Sequence, residues 1–262
     1  MPLRICLFLA SLTLLSCTEA STHAGQPLPT KQVTLNIPNE NPYPTIADIP
    51  VPEGFEREQV DNHGFAEWLR KVPLKRSKTV HLYNGSEKRN QQAQFAVLNI
   101  SVGQQDLQQC ADAVMRLRAE YLFAENHFNQ IDFTDNENNH YTFTAPYTRE
   151  HFMVYLNRVF GMCGSASLSK QLKSKQDIRA IIPGDVWIHG GFPGHAVMVM
   201  DRAVSKDGRI IYLIAQGYMP AQDIHLLNNP SDAQLSPWYQ VTDDNEIVTP
   251  EYLFYKDQLK RW

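Results

Sequence analysis

The stretch Pro193-Gly194-His195-Ala196-Val197-Met198-Val199-Met200-Asp201 constrains the fold more than any other. A glycine-histidine pair opens an apolar, β-branched run, the pattern of a buried strand with a histidine at its N-terminal end. Upstream, Pro183-Gly184-Asp185-Val186-Trp187-Ile188 reads as a tight turn feeding a short strand. Downstream, Ile210 to Gln216 reads as another strand, and Asp207-Gly208 before it is a strong hairpin signal. A histidine fixed at a strand end is rigid and can face a cleft. The rest of the chain is therefore read for a nucleophile that it could serve.

The N-terminus sets the compartment. Arg4 supplies a positive region, and Ile5 to Leu15 is an apolar core of signal-peptide length, too short for a membrane span. It ends in Leu14-Leu15-Ser16-Cys17, which resembles a bacterial lipobox. The expectation is a signal peptide over 1–16 and an acylated Cys17 that anchors the protein to a bilayer of the cell envelope, periplasmic or surface-exposed. The competing reading is ordinary signal cleavage near Ala20. Residues 17–50 carry six prolines among Ser, Thr and Asn, the composition of an extended tether. Residues 51–262 remain for a single α+β domain, long enough for a sizeable core. A formal charge of −4, with no basic cluster interleaved with aromatics, argues against nucleic-acid binding.

Of four cysteines, Cys6 leaves with the signal and Cys17 carries lipid, so Cys110 and Cys163 stay in the domain. In an exported protein these two could form a disulfide. From Asp106 to Leu122, residues Leu107, Cys110, Ala111, Val114, Leu117, Tyr121 and Leu122 recur at helical spacing, with Asp106 as a plausible N-cap. Cys110 then lies in the first turns on the buried side. It is either a core thiol packing as a small apolar group or a thiol whose anion the helix N-terminus favours. Strands are expected over 80–85 and 94–102, a hairpin over 131–143, and helices over 64–70 and 152–160. Met162-Cys163-Gly164-Ser165 has a superficial likeness to a papain cysteine motif, but the second Cys and the following Trp are absent.

Cysteine on a helix start, Pro-Gly-Asp plus strand, Gly-His plus strand, and a hairpin strand bearing a polar residue follow one another over residues 106–216. This layout resembles the papain-like, NlpC-type cell-wall peptidases and amidases. The resemblance implies a papain-like antiparallel sheet packed against the Cys-bearing helix. It also implies Cys110 as nucleophile, His195 as base and Gln216 as the residue that orients the base. Gln109-Cys110-Ala111 departs from the family's Asp-Cys-Ser, and the interval of 85 residues from Cys to His is longer than usual, so 131–143 and 152–160 would be insertions. A closer resemblance rests on Gln109 to Tyr121, Pro193 to Val197 and Tyr218-Met219-Pro220-Ala221-Gln222. These strings look like the bacterial lipoprotein family catalogued as domain of unknown function 4846. That resemblance covers most of 50–262 and implies an exported bacterial protein without an activity.

Strand geometry tests the orienting residue. Asp201 lies six residues along the strand from His195, roughly 20 Å at about 3.3 Å per residue, so the partner must come from the neighbouring strand. A tight turn at Asp207-Gly208 sets His195 opposite residues 218–220, whereas a bulge or longer loop favours Gln216. Gln216, Tyr218 and Gln222 are all eligible, and Gln216 is preferred. Gln104, just before the helix, is a candidate oxyanion donor. Asp185 reads as a turn residue, His189 as a rim or loop histidine, and Arg116 and Arg118 as a solvated helix face or a carboxylate binder. The nine histidines show no zinc spacing, and no cofactor is expected.

These readings lead to an envelope-anchored cysteine amidase or peptidase, acting through Cys110, His195 and Gln216 on acyl or amide bonds, peptidoglycan peptides among them. The alternative is a lipid-anchored binding or structural protein on the same scaffold. Catalysis expects Cys110 and Cys163 to be unbridged and Cys110 to meet His195 at an open cleft.

Overall fold

A strand with one wet face alternates apolar and polar residues, while a strand covered on both faces does not. The central strands of the computed structural model, which describes residues 39–262, are of the second kind. Ile210–Gln216 is buried at every position, and His195–Ser205 at all but two. One face, with Ala196, Met198, Met200, Leu213 and Ala215, joins the large core beneath the helices. The other, with Val197, Val199, Tyr212 and Ile214, packs against Trp187, Tyr239, Ile247 and Phe254.

In chain order the strands are β1 Phe55–Arg57, β2 Gln94–Val97, β3 Asp132–Thr134, β4 His140–Thr142, β5 Lys173–Ser174, β6 Val186–His189 and β7 His195–Ser205. They continue with β8 Ile210–Gln216, β9 His225–Leu227, β10 Tyr239–Gln240, β11 Glu246–Val248, β12 Leu253–Tyr255 and β13 Leu259–Arg261. The α-helices are α1 Phe65–Arg70, α2 Cys110–Ala124, α3 Arg149–Met162 and α4 Ser165–Gln171. Nine strands make one antiparallel sheet along the path β2-β9-β8-β7-β6-β13-β5, with β1 also on β7 and β10 also on β8. The fold is thus α+β around a large antiparallel sheet. β3–β4 and β11–β12 are separate two-stranded hairpins.

The turn between β7 and β8 follows its Asp-Gly signal. Gly208 takes φ +87°, a left-handed conformation that glycine adopts without strain, and Ser205 N–H donates to Arg209 O at 2.9 Å. The register then slips by one residue between Val199 and Asp201. Carried from Met198↔Ala215 to the strand end, this register sets His195 across from Tyr218 and makes Gln216 its diagonal neighbour on the same face.

Several expectations need correction. The tether does not extend to residue 50: Ile46 and Ile49 are fully buried, Thr45 bridges Pro73, and Arg57 donates to Ile49 O at 2.7 Å. Apolar spacing in this stretch is hidden by the prolines, so composition alone reads it as loose. The 80–85 strand is a turn held by single bridges, His81↔Glu87 and Leu82↔Gln222. Strand β2 ends at Val97, short of 102. The signal segment 1–16, Cys17 and the first part of the tether lie outside the described residues. Among the described residues no helix is long and apolar enough to cross a membrane.

Candidate active site

Helix α2 starts one turn later than its apolar spacing suggests. Gln109 is the N-cap, and its N–H donates to Asp112 Oδ2 at 2.9 Å. Asp106 instead accepts from Ala221 N at 2.7 Å and from Gln109 Nε2 at 3.1 Å, tying the pre-helix loop to the segment after β8. Cys110 is therefore the first helical residue, where backbone N–H groups lack helical acceptors. At Gly217 a Cβ would lie 2.8 Å from Gln109 O and 3.0 Å from Ala113 Cβ, so only glycine lets the chain leaving β8 run against this first turn.

The thiol is 8% exposed. Burial is the main influence on it and pushes it up, and Asp112 adds to this. The N–H groups of Ala111, Ala196 and Cys110 act in the opposite direction. The helix start thus favours the anion, as expected, but burial outweighs it. Ala196 follows His195, so the sulfur lies at the start of β7. Cys110 also influences Tyr218 and Tyr252, whose rings both have centroids 4.9 Å from that of His195. Among the described residues, no hydrogen bond joins the thiol to the His195 ring.

His195 is 2% exposed and lies among Tyr218, Tyr252 and Phe254. Burial holds it down at about 4, so the ring is neutral at neutral pH. Its Nε2 is 2.8 Å from Gln216 Oε1. The Gln216 amide is oriented by a chain of groups behind it. Gln216 Nε2 donates to Glu251 Oε2 at 2.7 Å and lies 3.3 Å from His225 Nε2. His225 Nδ1 donates to Asp223 O at 2.8 Å, which leaves Nε2 as the acceptor. Glu251 in turn accepts from Lys88 Nζ at 2.6 Å and Asn90 Nδ2 at 3.1 Å. With both amide protons committed, only Oε1 can face His195. His195 Nε2 must therefore carry the proton, and Nδ1 holds the lone pair.

Glu251, Lys88 and His225 were not singled out in the sequence. They come from three separated segments, and no spacing links them to Gln216. Of the other eligible orienting residues, Tyr218 contacts the imidazole edge-on, and the Gln222 side chain is buried with its Nε2 lacking a hydrogen-bond partner. Gln104 is exposed and does not line the cleft described next. Asp201 is fully buried between Arg57 and Arg70, each at 2.6 Å. Asp185 binds Arg261 at 2.5 and 2.7 Å and caps the turn through Ile182 N. Arg116 is no solvated face residue: it is 3% exposed and binds Glu120 at 2.6 Å and Gln108 at 2.8 Å. Arg118 lies over Phe65, Tyr121 and Trp262. His189 bonds Tyr252 OH at 2.6 Å.

Cys110 lines a cleft of about 420 Å³ between the start of α2, the α3–α4 junction and the loop before β7. Gly194 lines it too, whereas His195 is 2% exposed and does not, so of the expected pair only Cys110 opens onto the cleft. Cys163 is in the same wall; it is a free thiol, as is Cys110, and burial raises it to about 12. Among the described residues no three His, Cys, Asp or Glu side chains converge to hold a metal ion.

A family model described as "Domain of unknown function (4846)" matches residues 46–145 and 135–261. The chain belongs to this family. The two segments span both halves of the cleft, so Cys110, His195, Gln216 and Glu251 all fall within the family domain. No curated protein and no solved structure matches the chain.

Proposed function

We propose that this member of the family is a cysteine hydrolase of amide or acyl bonds with a papain-like, NlpC-type arrangement, anchored to the bacterial cell envelope through an acylated Cys17. The observation that carries the reading is the directed chain Lys88–Glu251–Gln216–His195, which presents a neutral imidazole with a free Nδ1 at the strand end where the Cys110 sulfur lies. A merely structural histidine needs a partner; it does not need that partner's amide fixed in one orientation.

The resting pair is neutral, because burial raises the thiol and lowers the imidazole. Attack is therefore general-base catalysed. As the sulfur bonds to the substrate carbonyl carbon, the thiol proton passes to His195 Nδ1. The carbonyl oxygen becomes an anion facing the free N–H groups of the helix start. Collapse breaks the bond to the leaving amine or alcohol, which takes the proton from Nδ1. Water, deprotonated by the same nitrogen, then releases the acid and restores the thiol. Gln216 keeps the Nε2–H in place throughout and stabilises the transient imidazolium through Oε1.

The test is site-resolved alkylation of the full chain with iodoacetamide, read at the Cys110 peptide by mass spectrometry. Cys110 is expected to react faster than Cys163, and His195→Ala should lower its rate while preserving the fold. Equal rates in wild type and His195→Ala would refute the assignment. The anchor is tested separately: native protein should partition into detergent and begin at a modified Cys17, and an unmodified N-terminus near Ser21 would exclude it.

A further inference from the structure

Apolar side chains that stay in water need a reason when they converge on one place. Among the described residues, Phe192 is 94% exposed, Met219 55% and Met162 53%, and all three line the cleft that holds Cys110. They come from three different segments: the loop before β7, the loop after β8 and the end of α3. Three glycines of the same lining leave open space beside them. A Cβ built on Gly161, Gly164 or Gly191 would meet nothing within 4 Å. The cleft volume of about 420 Å³ is within the size range of small-ligand sites. At the roughly 30 Å³ that a water occupies, it holds on the order of a dozen non-hydrogen atoms.

Charge narrows the occupant. The lining contains no Lys, Arg or His; its acidic residues are Asp106 and Asp112, and burial favours the neutral form of Asp112. Asp106 is engaged by Ala221 N and Gln109 Nε2, and Asp112 by Gln109 N. An anionic group would meet the Asp106 carboxylate and no cation, whereas an uncharged apolar group would cover the exposed rim. We propose that this cleft is the substrate-recognition site of the hydrolase and takes an uncharged apolar group, of alkyl or apolar side-chain character, next to the bond that Cys110 attacks. The inference rests on the hydrolase reading above and adds a substrate class to it. Anionic cell-wall stem peptides are disfavoured by the same charge argument.

Three alkylating probes test it on the full chain: iodoacetamide, N-hexyl-iodoacetamide, and the N-(5-carboxypentyl) compound of similar length with a terminal carboxylate. Rates at Cys110 are divided by rates with glutathione to remove intrinsic reactivity. The hexyl probe is expected to gain at least tenfold over iodoacetamide, and the carboxylate probe to lose that gain. Phe192→Ser with Met219→Ser should bring the hexyl ratio down towards one. Gly161→Phe, whose added ring has open space to enter, should do the same. A hexyl ratio near one in wild type, or one unaffected by both sets of variants, overturns the proposal.

The two failures are distinguishable. If Cys110 reacts with iodoacetamide without an alkyl gain, only the substrate class is wrong. If Cys110 reacts with no probe, the hydrolase reading falls, and saturation-transfer NMR of hexanamide decides the cleft alone, with the Cys110→Ala chain compared with and without Phe192→Ser. A transfer signal that disappears on adding Phe192→Ser supports the apolar site, and the absence of a signal in either chain overturns it. Should Phe192→Ser instead abolish self-association or vesicle binding with the hexyl ratio flat, the patch is a docking face and the proposal is wrong.

Discussion

Cys110 is under two opposing influences: free N–H groups that favour its anion and a buried, acid-bearing surrounding that opposes it. Burial is the larger, so the thiol is held above its usual range. The sign follows directly. Alkylation of Cys110 should keep rising through and beyond pH 9, with no plateau near neutrality, as a pH series of labelling rates would reveal. Turnover depends on a different group. His195 acts as a base only when neutral, and it sits at about 4, so activity should appear as pH rises past about 4. An acid limb near 6.5 would show that His195 is not held by this environment. Gln216→Ala removes the acceptor of the Nε2–H and leaves a buried donor unpaired, a loss of about 1–3 kcal/mol. If that loss falls on the transition state, the rate drops roughly 5- to 150-fold. Unchanged kinetics in this variant would remove Gln216 from the site.

At the scale of elements, the site is held by the segment joining β11 to β12. It delivers Glu251 to Gln216 and Tyr252 to the His195 ring. Lys88 is 6% exposed and has Glu251 as its ion-pair partner at 2.6 Å. Glu251→Ala would leave that ammonium buried and unpaired, which costs about 3–5 kcal/mol. It would also free the Gln216 amide to turn. The double variant Lys88→Met with Glu251→Leu should recover most of the stability in urea unfolding while activity stays low. Recovery of both together would make Glu251 purely structural. None of this wiring is legible in the sequence, because Glu251 lies 35 residues from Gln216 and in no periodic pattern. What is legible is local. The Gly-His strand, the Asp-Gly turn and the Cys-bearing helix each declare themselves through nearest neighbours. The strand spacing also restricts the orienting residue to a few positions on β8 and just beyond, and the slip near Met200 decides which of them is diagonal to His195. The docking of residues 40–50 escapes notice because it depends on Arg57 and Asp201, residues brought together only by the finished sheet.

Taken as a whole, the molecule buries two neutral imidazoles at the end of its central sheet, and its acid stability must reflect them. His195 is held at about 4 and His225 at about 3, mainly by burial, against a usual value of about 6.5. As pH falls below about 6.5 the unfolded chain takes up protons on both residues, while the folded chain does not until about 4 or below. The unfolded state binds more protons across that interval, so stability is full above about 6.5 and declines as pH falls. At about 1.4 kcal/mol per pH unit and proton, the pair costs several kcal/mol by pH 4, a large part of the 5–15 kcal/mol typical of a folded domain. Asp112 works the other way. Burial raises its carboxyl well above the usual range, so the folded chain holds a proton that the unfolded chain has lost, and its contribution weakens as pH rises. The two effects partly cancel in the wild type. Asp112→Asn keeps an acceptor for Gln109 N–H and removes the opposing titration, so the loss of stability between pH 6.5 and 4 should steepen. His225→Gln in that background, retaining an acceptor for the Gln216 amide, should make it shallower again. Urea midpoints measured from pH 3.5 to 8 at constant m-value read all three chains. A slope unaffected by either substitution would mean that these buried groups do not govern the acid limb.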